Sequence, residues 1–286
     1  MIASIFAYSL ANFLSLYKSW QQNLKLQTPN LKLTYLRSPM SSQFPHDEIK
    51  PFASEKVKKQ QVEEMFDGIA ARYDLMNRLF SAGIDMKWRK KAINFLKKNN
   101  PKTILDVATG TAAMAILGCR LINAEKVTGI DLSAEMLELG RKKIEKEGLV
   151  NKIDLLKGDG EAISFPDNSF DAVMVAFGVR NFENLENGLR EMLRVLKPGG
   201  KLVILEFSKP NWGFKNLYNL YMGIVAPEVA RWFRQNKDAY RYLNRSSNAF
   251  PDRNDFTAVL ERVGFSNTEC KPLSFGICCI YSGTKL

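Results

Sequence analysis

The feature that most restricts the fold is the stretch Thr103-Ile104-Leu105-Asp106-Val107-Ala108-Thr109-Gly110-Thr111-Ala112. It reads as a short apolar strand, a turn of small residues and a helix start. Small residues there let a ligand approach the backbone N–H groups at the helix N-terminus, which bulky side chains would screen. The pattern is D-x-A-x-G-x-A, with Ala108 and Ala112 where a glycine-rich loop carries Gly. It is not G-x-G-x-x-G, so a nicotinamide or flavin fingerprint is not met. A turn that only packs a helix on a strand would look the same.

Two further strands narrow the reading. Lys126-Val127-Thr128-Gly129-Ile130-Asp131 ends in a carboxylate 21 positions after Gly110. An acid at an offset of about 20 accepts the ribose hydroxyls in nucleotide folds. Asp131 could instead cap the next helix, but Ser133 is the better cap because the periodic run begins at Met136-Leu137. The third strand, Lys152–Lys157, leads into Gly158-Asp159-Gly160. Asp159 is placed to reach an adenine amino group, or forms an ordinary Asx-turn. Asp106, Asp131 and Asp159 therefore end three successive strands and mark one nucleotide-sized crevice.

Charge and cysteine usage bound the partners. The 286 residues carry a net charge of +11, which suits an anionic membrane surface or nucleic acid. The cysteines are Cys119, Cys270, Cys278 and Cys279, without a C-x-x-C pair, and His46 is the one histidine, so no metal site is expected. Unpaired thiols fit a reducing cytosol. Adjacent Cys278 and Cys279 should point to opposite faces of a strand.

Residues 1–39 hold Lys18, Lys25, Lys32 and Arg37 and no acid, and Met1–Tyr17 has no charge at all. The segment lacks the basic start of a signal peptide and falls short of the ~20 apolar residues of a membrane span. Three readings stand: translation from Met40, a membrane anchor, or a targeting segment. We take 1–50 as an extension outside the domain, with a loose polar arm over 41–58.

From Lys59 the pattern turns helical, with Val62, Met65, Phe66, Ile69, Ala70 and Tyr73 on one face, and a second helix spans Asp85–Lys98. This layer, 55–100, can roof the crevice. Helices at 112–123 and 134–147 flank the second strand, and Phe170–Phe177 forms a fourth. A helix at 185–196, the turn Lys197-Pro198-Gly199-Gly200 and a strand from Lys201 to Phe207 follow. An aromatic-rich helical insertion, 212–247, a helix at 255–263 and two strands near 266–273 and 276–283 complete the chain. The expected fold is α/β: doubly wound, Rossmann-like, a mostly parallel seven-stranded sheet with helices on both faces and an N-terminal helical layer.

The three strand-end acids resemble those of class I S-adenosylmethionine-dependent methyltransferases. Arg194-Val195-Leu196-Lys197-Pro198-Gly199-Gly200-Lys201-Leu202-Val203-Ile204-Leu205-Glu206-Phe207-Ser208 is similar to the second signature of the menaquinone/ubiquinone-biosynthesis C-methyltransferases. The run Tyr73-Asp74-x-Met76-Asn77…Ser81…Trp88 resembles their first, departing at Phe80, where that pattern has an aliphatic residue, and at Asp85, where it has His. Phe177-Gly178-Val179-Arg180-Asn181, Tyr240-x-Tyr242-Leu243-x-x-Ser246 and Phe250-Pro251 add to the likeness, which covers roughly 55–286. Ala176 and Ala113 also depart, replacing a Ser sometimes found and an Asp commonly found.

The resemblance implies S-adenosylmethionine as cofactor and methyl transfer to a ring carbon of a prenylated quinol, most often demethylmenaquinol. Asp106, Gly110, Thr111, Asp131, Asp159 and Gly160 are the candidate cofactor residues, and Asn77, Asn181 and Tyr242 the candidate substrate residues. Arg180, Asp85 and Tyr73 are candidate catalytic groups: Arg180 as holder of a phenolate-like oxyanion or as an ion pair with Glu183 or Glu186, Asp85 as a base or a solvated side chain, Tyr73 as a wall of the quinol site or a helix-packing residue. The enzyme would be cytoplasmic, peripheral at the inner face of the membrane, with a homodimer left open. Competing readings are a methyltransferase of another lipid or aromatic and a non-catalytic cofactor-binding protein, the latter favoured by Ala113. Nucleic acid is not an expected partner. The end of the fourth strand reads Ala176-Phe177-Gly178-Val179 rather than N/D-P-P-Y/F, and no cysteine lies nearby.

Overall fold

The computed structural model describes residues 44–81, 83–210 and 237–286. The expectations for 1–43 and for most of the 212–247 insertion fall outside these residues. Seven strands form one sheet in the order β3-β2-β1-β4-β5-β7-β6. They are β1 Thr103–Val107, β2 Lys126–Asp131, β3 Ile153–Lys157, β4 Phe170–Ala176, β5 Leu196–Phe207, β6 Ser266–Leu273 and β7 Cys278–Thr284. β1 pairs in parallel with β2 and β4, whereas β7 runs antiparallel to both β5 and β6. β7 is thus the one reversed strand of the sheet, which is otherwise parallel as expected.

Side chains leave the strands alternately for two cores. Along β4, Ala172, Met174 and Ala176 join one core and Val173 and Val175 the other. Cys278 and Cys279 divide between the same two cores, as their adjacency in a strand requires. Both faces are covered at the centre of the sheet, which is why β1 and β4 read as near-continuous apolar runs, whereas the edge strands β3 and β6 are partly exposed. Helices α2 (Asp85–Lys97), α3 (Ala113–Ile122) and α4 (Ala134–Lys146) cover the first face, and α5 (Leu185–Val195) and α7 (Asn254–Val263) the second.

Helix α1 (Lys58–Phe80) belongs to neither layer. Its Val62, Met65, Ile69 and Ala70 pack with Met136 of α4 and with Tyr242 of α6 (Lys237–Ala249). This third cluster sets α1 over the carboxyl ends of the strands.

Two segments depart from the sequence reading. Within 44–57, expected as part of a loose arm, residues 46, 47 and 51 are buried while 53–57 stay exposed: His46 is fully buried, and Lys58 Nζ donates to the carbonyls of His46 (2.8 Å) and Phe182 (2.7 Å). Burial, aided by Lys58, pulls the His46 imidazole down to about 3. The Lys-Pro-Gly-Gly stretch, expected as a turn before β5, is drawn into the strand. Phe170 pairs with Leu196, the register slips, and Ala172 pairs with Lys201. Gly199, at φ 78°, absorbs the extra residues in a left-handed conformation.

Candidate functional site

The sheet order reverses between β1 and β4, and ligands of such sheets bind at that point, beyond the carboxyl ends of the strands. A crevice of about 680 Å³ opens there. The β1 turn supplies Ala108 and Gly110, β2 supplies Asp131, Leu132 and Ser133, and the β3 turn Gly158 to Glu161. The end of β4 adds Ala176, Phe177, Gly178, Asn181 and Phe182, and α1 closes the side with Lys59, Val62, Glu63, Phe66 and Tyr73.

The β1 turn is held in a strained form. Ala108 and Ala112 have φ of 52° and 64°, a left-handed conformation that costs a non-glycine residue roughly 1–2 kcal/mol. It presses the turn against neighbouring backbone: a Cβ on Gly178 would lie 2.6 Å from Ala108 Cβ, so only glycine fits at 178. Gly160 is similarly enclosed, since a Cβ there would meet Val107 Cγ1 at 2.8 Å.

Ser133 caps α4, its hydroxyl accepting from Met136 N at 3.1 Å, as the sequence spacing suggested. Asp131 is thereby spared the cap. Its Oδ2 accepts from Gly110 N (2.8 Å) and its Oδ1 from Ser133 N (2.9 Å), which aims the carboxylate across the crevice. Burial pushes Asp131 up to about 6. Asp159 combines both readings offered for it: Oδ1 accepts from Glu161 N at 2.9 Å in an Asx-type turn, while Asp159 lines the crevice. Asp106 is fully buried beneath, with Oδ2 accepting from Thr109 Oγ1 at 2.6 Å, and burial pushes its carboxyl up to about 7.

Helix α1 crosses the three strand ends in order. Lys59 meets Asp159 after β3 at 2.5 Å, Asp67 accepts from Ser133 Oγ after β2 at 2.6 Å, and Asp74 accepts from Thr111 Oγ1 after β1 at 2.8 Å. These α1 residues recur at helical spacing, and that polar stripe beside the apolar one was the signal that sequence reasoning passed over.

Several candidates lie elsewhere than expected. Asp85 does not line the crevice. It begins α2, accepts from Ser81 Oγ at 3.1 Å, stands 3.7 Å from Arg89 Nε, and is only 7% exposed, so it is not solvated. Asn77 is half-buried within α1 and also stays off the crevice wall. Arg180 lies behind the wall, 4% exposed. Its Nη1 donates to Glu206 Oε1 at 2.5 Å and to the Phe177 carbonyl at 2.8 Å, so its partner is neither Glu183 nor Glu186. Asn181 does face the crevice, and its Oδ1 accepts from the buried Tyr242 hydroxyl at 3.1 Å. Burial pushes the Tyr242 phenol well above its ordinary range. Tyr73 lines the crevice edge against Phe66, ring centroids 5.8 Å apart.

The walls fit the cofactor that the sequence resemblance implies. One carboxylate faces where ribose hydroxyls would lie, glycines at 110, 160 and 178 keep the backbone bare, and Phe66, Met136, Phe177 and Phe182 offer apolar walls for rings.

The model of the ubiE/COQ5 methyltransferase family matches residues 54–285. The chain is 46% identical over 243 residues to the demethylmenaquinone methyltransferase of Bacteroides fragilis, covering 85% of this chain and 99% of that protein. It is 44% identical over 230 residues to the ubiquinone/menaquinone biosynthesis C-methyltransferase UbiE of Geotalea daltonii, covering 80% and 97%. Among solved structures, a SAM-dependent methyltransferase of Thermotoga maritima, described as a possible histamine N-methyltransferase, superposes with a TM-score of 0.55 at 16% identity, over 78% of this chain and 99% of that one, which speaks to the fold alone. With the family model spanning the crevice, helix α1 and the whole sheet, this chain belongs to the ubiE/COQ5 methyltransferase family.

Proposed function

We propose that the chain methylates a ring carbon of a prenylated quinol, most often demethylmenaquinol, using S-adenosylmethionine, in respiratory quinone biosynthesis. The observation that carries this is the 46% identity to a demethylmenaquinone methyltransferase along nearly that protein's full length. When bound, S-adenosylmethionine supplies a sulfonium-activated methyl group. The residues then have to align the ring carbon with that methyl and keep water away.

Asp131 accepts the ribose hydroxyls, Asp159 and Gly160 border the adenine, and Asp106, Gly110 and Thr111 line the opposite end. Tyr73 walls the quinol ring, and Asn181 orients its hydroxyl. Tyr242 and Arg180 act through Asn181. Tyr242 holds its amide oxygen, and the Arg180–Glu206 pair fixes the turn Val179–Asn181 that presents it. In this reading Arg180 is a positioning residue rather than the direct holder of the oxyanion.

Peripheral contact with the inner face of the membrane, from the cytoplasm, suits a substrate with a prenyl tail. The net charge of +11 favours it, and among the described residues no helix is long and apolar enough to cross a membrane. A homodimer belongs to the same proposal, and nucleic acid has no place in it.

The test is turnover of labelled cofactor by the full chain on a short-chain demethylmenaquinol and on a simple catechol. Faster turnover of the quinol supports the proposal. Preference for the catechol moves the enzyme to another aromatic substrate, and no turnover on either favours a non-catalytic binding protein.

A further inference from the structure

Helix α2 divides into two faces of opposite character. Trp88, Arg89, Ala92, Ile93 and Leu96 are buried. Lys87, Lys90, Lys91, Lys97 and the C-cap Lys98 are all exposed, and their helical spacing puts them together on the other side with Asn94. Among the described residues none of the five has a carboxylate in ion-pair reach, and the acid of this helix, Asp85, is buried and turned to Ser81 and Arg89. Helix α4 differs: its Arg141 and Lys142 reach Glu138, and its Lys143 reaches Asp74. The α2 pattern also runs against the helix's own electrostatics. Lys97 and Lys98 sit where the helix dipole favours cations, but Lys87 lies in the first turn, where it disfavours them. Lys87 is three and four residues from Lys90 and Lys91, the spacings at which like charges repel. Lys201 of β5 and Lys271 of β6 extend the patch, their Nζ atoms 5.7 and 5.4 Å from the Phe95 ring of α2. Glu269, exposed two residues before Lys271, is the acid of that edge strand.

We propose that the lysine face of α2 docks the enzyme on an anionic lipid bilayer; the inference rests on the peripheral contact proposed above and names the surface that makes it. Charge complementarity selects the occupant. A second copy of the chain meeting this face symmetrically would set lysine against lysine. Residues 1–43 contain no acid and so bring no counter-charge. The exposed cations of the patch are lysines, and point charges on flexible stems suit a diffuse layer of headgroup phosphates. Nucleic-acid readout draws instead on arginine forks and stacking aromatics. The placement fits a substrate with a prenyl tail. Arg89, on the buried side of α2, has its Cζ 5.1 Å from the Phe177 ring, which lines the crevice, so the first turns of α2 run beside that wall. Ile84, at the N-cap, is 36% exposed. Phe275, 58% exposed, follows Ser274, whose hydroxyl accepts from Trp88 Nε1 at 2.8 Å. The crevice end of the face thus carries apolar side chains suited to the boundary between headgroups and acyl chains.

The test is co-sedimentation of the full chain with vesicles, without cofactor or quinol. One set of vesicles is phosphatidylcholine alone; the other has two parts phosphatidylcholine to one part phosphatidylglycerol. Wild type should bind the anionic set at least about tenfold more tightly, and high salt should erase the difference. Lys87→Gln, Lys91→Gln and Lys98→Gln together should weaken binding to the anionic set roughly a hundredfold, at about fivefold per lysine. As a control of equal charge, Lys142→Gln, Lys146→Gln and Lys152→Gln, on and after α4, should cost less than about threefold. Equal losses in the two variants, or none from the α2 variant, would overturn the assignment to α2 and leave the peripheral contact standing. Wild type that ignores anionic vesicles would overturn the contact and the docking face together. If the α2 substitutions abolish binding of a short DNA duplex and leave vesicle binding unchanged, the face is a nucleic-acid surface and the proposal falls.

Discussion

Lys59 Nζ lies 2.5 Å from Asp159 Oδ2, joining the first turn of α1 to the turn after β3 across 100 residues of chain. Asp159, which we propose borders the adenine, is therefore also a fastening point of α1. Both side chains remain partly exposed, so the pair should contribute no more than about 1 kcal/mol. Lys59→Met should leave global stability within that margin. It should speed amide exchange in the first turns of α1, read by hydrogen exchange, because a low-stability element opens locally. Unchanged exchange there would mean that the apolar cluster around Met65 alone holds α1 in place.

Asp131 should dominate cofactor affinity. Asp131→Asn keeps an acceptor for part of the loop's backbone bonding but loses the charge-assisted bonds to the ribose. Affinity for S-adenosylmethionine should fall at least tenfold, ~1.4 kcal/mol, by calorimetry on the folded variant. An unchanged Kd would take Asp131 out of the site.

Arg180 and Glu206 form a buried pair, 4% and 0% exposed at the side chain. Burial pushes the Glu206 carboxyl up, and the Arg180 guanidinium opposes that shift. Glu206→Ala strands a buried cation and should cost about 3–5 kcal/mol in urea unfolding. Arg180→Lys should lower kcat by about tenfold or more while the cofactor Kd moves less than about threefold, because the fork that fixes the Asn181 turn is lost. A near-wild-type kcat would end the positioning role.

The buried carboxyl of Asp106 sets a pH dependence. Its folded value of about 7 lies above the ordinary 3.8, so the folded state holds a proton that the unfolded chain has released. The associated stability is fully present below pH ~4 and is lost as pH rises through about 7. Arg89 opposes the shift and Asp131 adds to it. Wild type should therefore lose thermal stability from pH 5 to 8 more steeply than Asp106→Asn; parallel curves would contradict the assignment.

The strained turn offers a stability test. Ala108 at φ 52° should gain from Ala108→Gly, since relief of roughly 1–2 kcal/mol exceeds the entropic cost of glycine, about 0.5–1 kcal/mol. A rise of about 1–4 °C in Tm is expected for a domain of this size. A fall would show that the Ala108 methyl contributes more packing than strain.

Much of this site was legible in the chain because its parts are local. Asp131 ends an apolar run, Ser133 precedes a periodic one, and Gly160 follows Asp159 directly. Contacts between distant segments left no local trace. The sequence offers Arg180 as an oxyanion holder or as a partner of the nearby Glu183 or Glu186, whereas Glu206 reaches it across 26 residues because β4 and β5 are neighbours in the sheet. The stretch around His46 is polar and Pro-containing, and nothing in that composition foretold its burial under Phe250, ring centroids 4.9 Å apart. Asp85 occupies a motif position usually held by His, and the motif alone could not say that its side chain would turn to Ser81 and Arg89.

A crevice that delivers a methyl group to a ring carbon leaves that methyl on the product. The most direct measurement is carbon NMR of the product formed from S-adenosyl-[methyl-13C]methionine and a reduced short-chain demethylmenaquinone. One labelled methyl bonded to the quinol ring carbon is expected, absent when the enzyme is omitted. A label found on the quinol oxygen, or no labelled product from a chain that binds both ligands, would contradict it.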